Sequence, residues 1–113
     1  MMLIVDEPGY WENLPEAEAH EQFDRIGKWW GELAGKGTIV GGHQLQPAQT
    51  ATTVKVHNGA ASVTDGPFSE AKETVGGYGI LDVPDLDAAL AVVKTWPADA
   101  TLELRPVVER EDM

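Results

Sequence analysis

The sequence predicts an α+β fold of the ferredoxin-like type, βαββαβ with an added β-hairpin strand. Three observations predict it. Two segments of helical periodicity lie between runs of β-prone residues. Asn58-Gly59 joins two such runs, the dipeptide that a tight type I′ hairpin turn favours. Each helix is followed by a strand, so the chain returns twice to a mostly antiparallel sheet. A length of 113 residues fits one domain, residues 1–113.

The elements follow in order. "MMLIVD" is a short apolar run rich in branched residues and reads as a buried first strand. "EPGYWENLP" reads as a loop. Asn13, Pro15 and Glu16 then have the makings of a helix start, with Asn13 as the cap. Phe23, Ile26, Trp30 and Leu33 recur at three- and four-residue steps and predict the buried stripe. Trp29 lies about 100° round the helix from Trp30 and is expected to be partly exposed or in a subunit contact. Lys36-Gly37 suits the helix end. "GTIVGGHQLQP" reads as the second strand, stopped by Pro47. "ATTVKVHNGAASVTDG" is the hairpin, and "GGYGILDV" a further strand. Pro84-Asp85 opens a second helix, with Leu86, Ala89, Leu90 and Val93 on one face and Pro97 closing it. "ATLELRPVVE" is the last strand. The helices cover one sheet face, and a second subunit's sheet is the natural cover for the other, so a homodimer is expected.

Composition excludes several functions. Acidic residues number 19 against 8 basic, a formal net charge of -11, and the Lys and Arg residues are scattered singly. No basic cluster is present to neutralise phosphates, so neither nucleic acid nor an anionic membrane is an expected partner. Cysteine is absent, which removes disulfides, thiolate ligands and cysteine nucleophiles, and fits a cytoplasmic location. The opening residues carry no basic start and too short an apolar run for a signal peptide or a span. His20, His43 and His57 lack the close pairing of metal ligands, and no phosphate-binding glycine loop or serine elbow occurs. No metal and no cofactor is expected.

The candidate site residues are few. His43 lies in the second strand beside Gly41-Gly42, and simple alternation puts Ile39, Gly41, His43 and Leu45 on one face. Its imidazole titrates near neutrality and suits a general base or acid; the plainer reading is a packed histidine. His20 adjoins the apolar stripe of the first helix, as a second base or as a structural group at a helix–sheet boundary. Trp11 precedes that helix and is placed to cover a cleft. In Asp65-Gly66-Pro67-Phe68, turn chemistry accounts for Gly66 and Pro67, while Asp65 is either a turn acceptor or a site carboxylate.

The stretch "VTDGPFSEAKETVGGYGILDVPDLDAAL" is the most specific in the chain. Asp65-Gly66-Pro67-Phe68, then Glu70, Lys72 and Glu73, then Gly76-Gly77-Tyr78, with "GGHQLQP" before and "LELRPV" after, resembles the DGPF subgroup of the YCII-related family. The resemblance runs over essentially the whole chain. It implies a ferredoxin-like fold of the dimeric α+β barrel type, with a cleft in each subunit near the interface. It implies a bacterial protein, and links to an extracytoplasmic-function sigma factor in some members. One enzyme-like branch has a histidine early in the first helix and an aspartate before a proline after the second, and one such member dechlorinates a chlorinated hydroquinone. His20 corresponds to that histidine. Trp96 stands before Pro97 where the aspartate would be, so the dyad is absent in its usual form.

Two functions stay open on the sequence. The first is an enzyme doing metal-free acid–base chemistry on a small organic molecule. His43 or His20 would be the base and Asp65 its carboxylate, with Tyr78, Arg105, Phe68 and Trp11 holding the substrate. The second is a non-catalytic module that binds a small ligand or a protein partner such as a sigma factor.

Overall fold

The computed structural model describes residues 1–7, 9–66 and 74–109. The chain runs β1 (Met2–Asp6), α1 (Glu16–Gly35), β2 (Ile39–Gln44), a 3₁₀ turn (Ala48–Thr50), β3 (Thr52–His57), β4 (Ala60–Asp65), β5 (Thr74–Leu81), α2 (Leu86–Val93) and β6 (Thr101–Leu104). The four-stranded sheet has the order β2-β5-β1-β6, and every neighbouring pair is antiparallel. This α+β arrangement is compatible with a ferredoxin-like fold. β3 and β4 pair with each other in a separate two-stranded sheet. Asn58 has φ 50° and Gly59 φ 80°, the two positive values that a type I′ turn requires.

The ends of α1 show what the local sequence does. Pro15, not Asn13, occupies the N-cap position, without a side-chain cap hydrogen bond. Asn13 instead closes the preceding loop, its backbone N–H donating to Gly9 O at 2.9 Å. At the other end Gly37 N–H donates to Ala34 O and Thr38 N–H to Leu33 O, the paired bonds of a Schellman cap. α2 starts on Asp85, whose carboxylate accepts from Ala88 N–H at 2.8 Å.

Met2, Trp29, Ile39 and Val93 form the core, with Trp30, Leu33, Leu81, Trp96, Leu102 and Leu104 packed around them. Trp29 is therefore buried, contrary to the partial exposure that a single stripe through Trp30 suggests. The cause is two-sided packing of α1. Trp30 lies on the sheet, where its ring meets the positions of Gly42 and Gly79. Trp29 reaches the end of α2, donates from Nε1 to Thr95 Oγ1 at 2.7 Å and packs edge-on against Trp96. A helix held on two sides needs a wider apolar stripe than one lying flat on a sheet.

The glycines of α1 offer a clean test of helix propensity. A Cβ added at Gly31 would meet nothing within 4 Å. Gly31→Ala is expected to stabilise the protein by about 0.5–1 kcal/mol, read as a higher urea midpoint at unchanged slope. A loss of stability would mean that this face of α1 is closely packed against something.

Candidate functional site

The site is built where three pieces of chain meet on the helix side of the sheet. β1 ends at Asp6, the loop after it carries Tyr10 and Trp11, and α1 presents Phe23 and Trp30. Together with the segment leaving β2 they enclose a cleft of about 420 Å³. That volume is within the usual range for small-ligand sites. Trp11 stacks on Phe23 with ring centroids 4.3 Å apart, and Tyr10 meets Trp11 edge-on at 5.2 Å. Tyr10 also donates from its hydroxyl to Gln22 Oε1 at 3.3 Å, which fixes the loop to a buried side chain of α1.

Asp6 is the ionisable group this architecture isolates. Register with β5 shifts between Ile4 and Val5, and Gly76 leaves the space the carboxyl needs: a Cβ there would lie 2.6 Å from Asp6 Oδ2. Trp11 Nε1 donates to Asp6 Oδ2 at 3.3 Å. Burial raises the Asp6 pKa above its ordinary value, and the Trp11 hydrogen bond offsets only part of that rise.

The sign of the resulting pH effect is fixed. Because the folded-state pKa lies above the unfolded value of 3.8, the protonated group favours the fold. That contribution is fully present below the unfolded pKa and is lost as pH rises through the folded one. Asp6→Asn is therefore expected to be more stable than the parent at pH 7, with the difference closing as pH falls toward 3.8. Urea melts of both proteins across this range check it. A constant difference at every pH would show that Asp6 does not titrate as the burial implies.

His43 lies elsewhere than simple alternation predicts. Register with β5 shifts between Ile39 and Gly41, so Ile39 faces the core while Gly41 and His43 turn to the opposite side. His43 pairs in register with Tyr78, and its Nδ1 is 2.9 Å from the Tyr78 hydroxyl. This pair stands on the face away from the helices, whereas Asp6 is on the helix side. His43 reaches the cleft lining only at the end of β2.

Among the other residues singled out in the sequence, Trp11 lines the cleft and His20, Asp65 and Arg105 do not. His20 is exposed on α1, and Arg105 pairs with Glu103 at 2.9 Å. Asp65 is exposed at the end of β4, opposite Thr52. Its neighbour is held to β3: Gly66 N–H donates to Ala51 O and Thr53 Oγ1 donates to Gly66 O, each at 2.7 Å. Phe68 lies outside the described residues. Among the described residues no group of three or more His, Asp or Glu side chains is placed to hold a metal ion, and no helix is long and apolar enough to cross a membrane.

Comparison with known proteins adds the family. The YCII-related domain matches residues 1–110. The chain belongs to the YCII-related family. An uncharacterized protein of Rhizobium meliloti (strain 1021) is 34% identical over 68 residues. That alignment takes in 57% of this chain and 55% of the relative, so it spans about half the length of each. The Asp6 cleft is thus a feature of a YCII-related chain in which Trp96, not an aspartate, precedes Pro97.

Proposed function

We propose that this YCII-related protein binds a small organic molecule in the Asp6 cleft and carries out metal-free acid–base chemistry there, with Asp6 as the proton carrier. One observation carries the reading: a carboxyl held above its ordinary pKa by burial in an aromatic-lined cleft. Such a group is positioned to accept or return a proton closer to neutral pH than a surface carboxylate. Trp11 orients it and covers the cleft. The working unit is a cytoplasmic homodimer of the ferredoxin-like, α+β barrel type, belonging to the DGPF subgroup, in which a second copy covers the sheet face that carries His43 and Tyr78.

The second reading, a protein-binding module, is favoured by the β3–β4 hairpin. Val54, Val56 and Val63 share one face of it, at 55%, 71% and 67% exposure. An isolated two-stranded sheet with an open apolar face is marginal by itself and gains from a partner. A sigma factor is one such partner.

A thermal-shift screen of neutral and charged small molecules separates the readings, run on the parent, Asp6→Asn and Asp65→Asn. A ligand that raises the melting temperature of the parent and of Asp65→Asn, but much less that of Asp6→Asn, supports the Asp6 cleft. The reverse pattern returns the site to Asp65 and the histidines. A protein that answers only to a macromolecular partner is the binding module.

A further inference from the structure

The cleft has a chemical bias that goes beyond binding small molecules in general, and the inference rests on the reading of it as a ligand site. Asp6, Glu7 and Glu12 line it, and no Lys or Arg does so among the described residues. An anionic ligand would meet three carboxyl groups with no counter-charge. The rings of Tyr10, Trp11, Phe23 and Trp30 line it as well. Aromatic faces carry negative quadrupole density and attract cations, most strongly where water is excluded. The indole N–H of Trp11 is already engaged with Asp6, so the pair presents an acceptor rather than a donor. The chain as a whole carries a formal charge of -11, which raises the local concentration of positive solutes near such a cleft.

We infer that the cleft selects an organic cation: a small ammonium-bearing molecule whose charged head meets Asp6 and the surrounding aromatic rings. The cation supplies the positive partner that no Lys or Arg among the described residues of the lining provides. Its binding favours the ionised carboxylate, so affinity rises with pH as Asp6 loses its proton. The other titratable groups facing the cleft are Glu7 and Glu12 from the loop, Tyr10 beside them, and His43 from the end of β2. The pH series is run on His43→Gln as well, which removes the histidine of the lining.

The probes are choline and 3,3-dimethylbutan-1-ol, which have the same shape and differ in whether nitrogen or carbon is central. Each is titrated into the full chain while the tryptophan indole N–H resonances are followed. The expected result is choline binding at least about tenfold tighter than the neutral alcohol at pH 7. Asp6→Asn is expected to remove most of that preference and leave the alcohol unchanged. Choline affinity should fall with falling pH in both the parent and His43→Gln, and stay flatter in Asp6→Asn. Equal binding of the two probes, or tighter binding of the alcohol, overturns the cation preference while leaving the small-molecule cleft standing. Failure of both probes to bind also overturns it, and the library screen then decides the fate of the cleft itself.

Discussion

Gly42→Ala is expected to cost the fold about 3 kcal/mol or more, seen as a large drop in the urea midpoint. Two independent effects add at this residue. Gly42 has φ 143°, a conformation that L side chains rarely adopt. A Cβ there would also lie 2.3 Å from Tyr78 O, 2.7 Å from the Trp30 ring and 2.8 Å from Gly79 Cα. Two of those neighbours are backbone and cannot rotate aside. The methyl must therefore push β2 away from β5 or drive Trp30 off the sheet. Against a total stability of roughly 5–15 kcal/mol for a domain of this kind, that is a large fraction. Both routes disturb the cleft, because Gly42 and Trp30 line it. Gly31→Ala is the internal control, since the same chemical change there meets open space. If Gly42→Ala unfolds within about 1 kcal/mol of the parent, β2 does not run against β5 and Trp30 as closely as the structure has it.

The bulge beside Gly42 also marks the limit of what the sequence could tell. The hairpin dipeptide, the two helical stripes and the alternation of elements each rest on a local rule, and the paired β3–β4 segment and both helices form where those rules place them. Face assignment in β2 depends instead on one inserted residue, Val40, which no local pattern announces. That residue moves His43 from the side of Ile39 to the side of Tyr78. The helix cap is likewise at Pro15 rather than Asn13, whose backbone N–H closes the preceding loop onto Gly9 O.

The carboxyl of the cleft was missed for a different reason. Asp6 closes a continuous apolar run and precedes a loop, so no local pattern sets it apart from the rest of the first strand. Its signal was present in the spacing to Trp11, five residues on, and in the glycine pair Gly76-Gly77. Those features gain meaning only when β1 and β5 are laid side by side. Asp65 stands out in the sequence by its neighbours, and in the structure Gly66 beside it bonds to Ala51 and Thr53.

Trp29→Ala is expected to remove about 3–5 kcal/mol. The indole fills the junction where α1, the sheet and the end of α2 meet, and an alanine leaves a cavity bordered by Trp30 and Trp96. Part of the cost is polar. Trp29 Nε1 donates to Thr95 Oγ1, which donates in turn to Val92 O at 2.6 Å, so the indole is tied to the last turn of α2. Trp29→Phe keeps most of the ring and loses the bond, and a cost of about 0.5–1.5 kcal/mol beyond its smaller area is expected. Thr95→Val leaves the buried N–H without an acceptor and should cost about 1–3 kcal/mol. The double variant should then cost less than the sum, since the stranded donor is gone. Additivity in that cycle would show that the hydrogen bond contributes nothing. The junction also holds the cleft together, because Trp30 and Trp96 on either side of Trp29 are both in its lining. Trp29→Phe should therefore keep the response to a cleft ligand, while Trp29→Ala loses it at temperatures where the chain is still folded. If Trp29→Ala binds as well as the parent, the cleft is shaped by the loop and the sheet alone, and α2 has no part in it.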